Sequence, residues 1–446
     1  MPSDAQGHEV SGTSDSVAAF DRAIADYYAL GGDPVGKLKA ALARDAGFML
    51  GATAIAALFL SGGFRADHAE VRNALKVARA APRATRRERL HREAVESWAE
   101  GRLRDATAVW EEILVDHPTD ALALRLAQDA YFFLGASIPM RDSVARVAPV
   151  WRDDDPLTGF VWGMRAFGLE ETGDYAGAER FAREALRRNP ADVWAAHALA
   201  HVFEMTARPQ EGLAFLTATR EDWRDAHFMA GHNGWHLALY LIELGRFDEV
   251  LSGFDKHMLA ALANDAALDR IDAASLLWRL ELEGVDVGAR WNAVSRPWTP
   301  HLHEHVLAFN DLHLTFALAR EPKLAGMLRD SLDAYAEEAH GDNGRVMAQV
   351  GRPLIDAMLD FAEGRYAEAI EGILPLRYDV WRIGGSHAQR DVVDLTLIAA
   401  AERAGERNLA RGLLAERAAL RPTARWRKRA GLAPQLHGAR EDEGRC

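Results

Sequence analysis

The sequence predicts an all-α fold, a curved superhelix of antiparallel helix pairs, and three observations predict it. A Gly/Ala/Pro frame recurs at fixed offsets. Turn signals return at near-constant spacing. Between the turns apolar residues fall three and four apart, and no run of period-two alternation bounded by hairpin turns stands out.

The frame is clearest in three segments. "WAEGRLRDATAVWEEILVDHP" carries Gly101, Ala106 and Pro118. "LEETGDYAGAERFAREALRRNP" carries Gly173, Ala178 and Pro190. "AERAGERNLARGLLAERAALRP" carries Gly405, Ala410 and Pro422. In each, the Ala stands 5 and the Pro 17 residues after the Gly. The Gly ends a first helix in a left-handed conformation. The Ala lets the second helix approach the first. The Pro stops that second helix. Turns are expected at Gly101, Gly135, Gly173, Ala207 and Gly245, spaced 34, 38, 34 and 38. Looser copies follow near Gly284, Arg320, Gly364 and Gly405. A period near 34 with this frame is the tetratricopeptide signature. The expected fold is therefore a tetratricopeptide-like α-solenoid of about nine helix pairs, since one pair cannot bury its apolar face alone.

The elements follow in order. Residues 1–15 are polar and lack a charged-then-apolar signal, so a disordered leader is expected. Residues 16–425 read as one solenoid, with capping helices over 16–66 and repeats over 90–425. The cap contains "AGFMLGATAIAALFLSGG", apolar for about 15 residues. That is short of the roughly 20 needed to span a bilayer, so a buried helix is expected. Residues 426–446 read as a polar tail. "GGSHAQRDV" opens a late helix, with Ser386 and Gln389 as its capping box. Ser386 and His387 are adjacent and do not face each other, which argues against a nucleophile and its base. Arg390 and Asp391 are expected in a buried ion pair or a groove contact.

Composition narrows the function. A net charge of −13 argues against a general nucleic-acid binder. The basic stretches 79–92 and 421–429 read as solvated helix faces. The one cysteine, Cys446, allows neither a disulfide framework nor a cysteine zinc site within the chain. A cytoplasmic location, without membrane or nucleic-acid partners, is the simplest expectation.

The histidines are the chemical signal. Repeat numbering places His197, His201 and Glu204 on one face of a first helix, and His232, Trp235 and His236 on the next. Residues three and four apart share a helix face. The tetratricopeptide-like fold, rather than the composition, implies that both faces line the concave groove, with Trp235 exposed there. Imidazoles four apart can chelate one ion, and a carboxylate can act as ligand or base. Metal candidates are His197, His201, His232 and His236; catalytic candidates are His201, Glu204 and His236. "PHLHEHVLAFNDLHLTFAL" adds His305, Asn310, Asp311 and His313. Its His303-Glu304 pair is followed by Leu307 where a zinc-protease motif needs His. Three readings stay open: a metal or acid–base site, a polar ligand groove that includes Asn233, and hydrogen-bonded packing histidines. No cofactor is required by the sequence; a divalent metal is the one these histidines could hold. The favoured reading is a non-enzymatic scaffold holding a peptide, a protein segment or a small polar ligand in this groove. The alternative is an enzyme, a metal-assisted or His/Glu acid–base hydrolase.

"HPTDALAL", "QDAYFFLG" and "MRDSVARV", then "AHALAHVFEM" and "HNGWHLALYLIELGRFDEVL", then "RLELEGVDVGARW", "FNDLHL" and "GGSHAQRDV" together resemble the tetratricopeptide-repeat protein 38-like family. The resemblance covers roughly residues 20–425 and rests on the order and spacing of these segments. It implies a tetratricopeptide-like solenoid and little about activity.

Overall fold

The computed structural model describes residues 1–338 and 340–432. Among them the regular structure is helical, and one isolated bridge joins Ser3 to Glu9. Consecutive helices pack as antiparallel pairs and neighbouring pairs stack, so the fold is the expected all-α repeat solenoid. Every expected turn except the one near Arg320 contains a left-handed residue at the position named. At Gly135 this conformation comes with a close approach. A side chain there would run into the carbonyl of Trp381. Ala207 adopts it at φ 57°, at a cost of about 1–2 kcal/mol for an L-residue. At Arg320 the chain instead leaves Ala308–Leu318 through a helical cap at Ala319. The small residues fit as expected, since Ala106 and Ala178 have no exposed surface.

The packing divides into two large cores, beside a small cluster of Met49, Ala52 and Ala78. One spans Val10 to Tyr240, the other Trp235 to Trp426. They meet at the helix His227–Glu243, which supplies residues to both. The superhelix then closes on itself. Ala267–Leu282 packs against His387–Arg403. Gly101 accepts a backbone hydrogen bond from Asp342. Arg65 donates to the carbonyls of His303 and Glu304. Arg425 donates to the Ile242 carbonyl.

Four expectations are corrected. The leader is not disordered. Val10 is fully buried, and Asp4 forms a buried pair with Arg87 at 2.9 Å. Arg87 donates to Asp120 as well, so this part of the 79–92 stretch is core rather than solvated face. The tail expected from 426 begins inside a helix, Ala424–Arg429, whose Trp426 is buried. In the 421–429 stretch Arg421 turns inward to Glu204, while Arg425 and Arg429 reach Glu283. Repulsion among these cations is relieved by carboxylates that arrive from helices distant in sequence. Residues 433–446, Cys446 included, lie outside the described residues. The apolar segment forms the helix Met49–Ser61, largely buried. No described helix is long and apolar enough to cross a membrane.

Candidate metal centre

Two first helices of adjacent repeats build the centre. Val193–Met205 starts at Asp192, whose Oδ1 accepts from the backbone N–H groups of Trp194 and Ala195. His227–Glu243 packs beside it. Spacing of four places His197 over His201 and His232 over His236, and all four rings meet between the helices. One ligand nitrogen from each lies within 4.8 Å of those of the others. The His197 Nε2 atom stands 3.0 Å from His201 Nε2 and 3.1 Å from His232 Nε2. A tetrahedron of nitrogens at the usual bond length of about 2.0–2.1 Å has edges of about 3.3 Å. The spacing therefore suits one ion.

Each outer nitrogen but one has a carboxylate behind it. His232 Nδ1 bonds Asp272 at 2.8 Å. His201 Nδ1 faces Glu170 Oε2 at 3.2 Å, and His236 Nδ1 faces Glu204 Oε2 at 3.4 Å. The two longer contacts are poorly aligned for a hydrogen bond. His197 Nδ1 has no partner. A carboxylate bonded to Nδ1, as Asp272 is at His232, fixes the tautomer and turns the Nε2 lone pair inward. A neutral His197 has one ring proton for its two close Nε2 neighbours, and His236 Nε2 has no hydrogen-bond partner.

Burial opposes protonation of His197 and His236. Burial drives His197 well below the usual histidine range, and its three imidazole neighbours push the same way. Burial lowers His236 to about 3, against the pull of Glu204. Burial alone would raise Glu204, but the His236 contact and the Arg421 guanidinium, 2.7 Å away, hold it well below the carboxylate range. Asp272 is raised by burial, which outweighs the pull of His232.

The expected site residues separate into two groups. His197, His201, Glu204, His232 and His236 come together. Trp235 stacks on His232 at 5.2 Å, but the expectation that it is exposed in a groove is wrong: it has no exposed surface. The histidines are buried too, none more than 3% exposed. The open concave wall expected from repeat numbering is covered because the C-terminal repeats fold back across it. Asn233 is fully buried with both side-chain polar atoms unpartnered. His305, Asp311 and His313 do not join the centre. His305 is held by Asp311 at 3.1 Å and Ser331 at 2.8 Å, and His313 bonds the Phe309 carbonyl at 2.8 Å. Asn310 is half-buried beside them.

Three side chains packed against this cluster are not among the expected site residues: Glu170, Asp272 and His387. Glu170 ends the helix Thr158–Glu170 and His387 begins His387–Arg403. His387 Nε2 bonds Glu170 at 2.6 Å. Burial would raise Glu170, but His387 and His201 bring it to about 2; burial would lower His387, but Glu170 and Glu171 raise it to about 9. The capping box of Ser386 and Gln389 is formed as expected. Arg390 and Asp391 do not pair with each other. Asp391 bonds Arg417 at 2.9 Å, and Arg390 stands 3.7 Å from Glu171.

No family model matches the chain. One solved structure, titled "Crystal structure of APC/C hetero-tetramer Cut9-Hcn1", aligns with a TM-score of 0.41 and 12% identity. The alignment covers 76% of this chain and 59% of that one, a similarity from which no functional argument follows.

Proposed function

We propose that this chain is a metal-binding helical-repeat protein, with one divalent transition-metal ion held by His197, His201, His232 and His236. The observation that carries the reading is the convergence of four buried imidazoles, three of them facing carboxylates on their outer nitrogens. Imidazole donors suit zinc, copper and nickel. Four nitrogens fill a tetrahedral shell, which favours holding a metal over hydrolysis, because a hydrolytic site keeps a position open. Burial of the same residues favours a metal over the peptide groove expected from the sequence. The resemblance to the tetratricopeptide-repeat protein 38-like family agrees with the helix pairs and implies no reaction.

The test is elemental analysis of the purified chain, followed by chelator treatment and reloading with Zn²⁺ or Cu²⁺. Tight uptake that is lost in His197→Ala and in His232→Ala is expected. A chain that takes up neither metal and gains no thermal stability from either would refute the proposal.

A further inference from the structure

We propose that Glu170, Glu171 and His387, with the outer nitrogen of His201, form a second divalent-metal site that shares the His201 ring with the four-histidine centre. Each of these residues offers one ligand atom, and the four atoms lie within 4.8 Å of one another. His201 Nδ1 is 3.2 Å from Glu170 Oε2 and 3.9 Å from Glu171 Oε1. His387 Nε2 is 2.6 Å from Glu170 Oε1 and 3.7 Å from Glu171 Oε1. Tetrahedral edges of about 3.3 Å fall inside this range.

The donors are oriented from outside the site. The backbone N–H of His387 holds both oxygens of Glu171, at 3.1 and 3.3 Å. The turn before it, Gly384-Gly385, is fixed by close approach: a side chain at Gly385 would strike the Phe309 ring. An independent observation points to a ligand. Glu170 Oε2 and His201 Nδ1 are both fully buried, and neither has an aligned hydrogen-bond partner. The His387 side chain is 25% exposed, so the site reaches the solvent boundary.

Competing charge is present. Arg390 stands 3.7 Å from Glu171 Oε2, but its guanidinium also donates to the carbonyls of Gly384 and Gly385. It neutralises one carboxylate and leaves the other to the cation and to His387. Two carboxylates with two imidazoles suit zinc, manganese or iron(II). A metal binds His387 through an unprotonated Nε2, so any proton carried there leaves to solvent on binding. When both sites are loaded, His201 also gives up its ring proton, so that each nitrogen bonds one metal. Only this sharing rests on the proposed function; the donors of the second site stand without it.

The experiment is titration of the chelator-treated full chain with Zn²⁺, followed by elemental analysis after desalting. Circular dichroism verifies that each variant is folded. Two ions per wild-type chain are expected, and one in each of Glu171→Gln, His387→Gln and His232→Ala. One ion that is lost in His232→Ala and kept with unchanged affinity in Glu171→Gln and His387→Gln would overturn the second site alone. One ion that is lost in Glu171→Gln and kept in His232→Ala would instead remove the four-histidine reading and leave the second site in place. No bound ion would overturn both.

Discussion

Two groups of histidines look alike in the sequence and differ in the fold. His197, His201, His232 and His236 stand four apart in two pairs; His305 and His313 stand eight apart with Asp311 between. All six are buried. In the first group His197 Nε2 stands 3.0–3.1 Å from the Nε2 atoms of His201 and His232, His236 joins them, and carboxylates stand behind three rings. In the second group His305 spends its nitrogens on Asp311 and Ser331, and His313, whose Nε2 is left unpartnered, packs against the Phe309 and Phe316 rings. A buried polar group needs a partner in either case. The difference is where the partners stand. Partners behind the ring leave a lone pair to bind something else, partners on both sides exhaust it as at His305, and a free nitrogen that meets no other imidazole, as at His313, builds no site.

The largest expected effect breaks this comparison directly. His232→Ala is expected to lower Zn²⁺ affinity by more than the roughly 10–100-fold typical of losing an outer-shell partner. His305→Ala is expected to leave uptake unchanged. Equal loss in both, read by competition with a chromogenic chelator, would erase the distinction. The next effect tests the carboxylates. Asp272→Asn is expected to weaken Zn²⁺ by about 10–100-fold, since Asn holds Nδ1–H less firmly. Asp311→Asn is expected to change stability only, so a metal dissociation constant that moves in Asp311→Asn and not in Asp272→Asn contradicts the assignment.

Smaller effects concern the supports. Asp192 caps the helix that carries His197, and burial raises its carboxyl to about 7 from 3.8. Between those values the folded chain holds more protons than the unfolded one. Stability therefore falls as pH rises from about 4 to 7, and this contribution is flat above 7. Asp192→Asn keeps an acceptor without the charge. Its advantage over wild type in urea midpoint is expected to grow from pH 4 to pH 8 in the metal-free chain; a constant difference would show that Asp192 does not titrate this way. The smallest effect is expected at Ser386→Ala, a loss of about 1 kcal/mol in urea unfolding from the broken capping box at the start of the His387 helix. A loss in Zn²⁺ affinity larger than the change in stability would mean that this cap also sets the metal geometry.

Much of the fold was legible because its determinants are local. Gly at the end of a helix, Ala at a close crossing and Ser386 three before Gln389 act within a few residues of themselves. The pairing of His197 with His201 and of His232 with His236 was legible for the same reason, through helix periodicity. The leader and the basic C-terminal stretch were not. Polar residues there look solvated in the chain, yet Asp4 meets Arg87 and Arg421 meets Glu204 across long separations.

The sequence by itself determined the helices, their turns and caps, the repeat that stacks them, and the facing of four histidines across one repeat boundary. Only the tertiary structure decided that the superhelix closes, that the concave wall is buried, and that Glu170, Asp272 and His387 stand behind the imidazoles. The physical reason is range. Hydrogen-bonded turns and helix faces are set by neighbours along the chain, whereas burial and proton accounting depend on which distant carboxylate arrives. His387 reaches Glu170 from 217 residues away, and no local pattern announces that meeting.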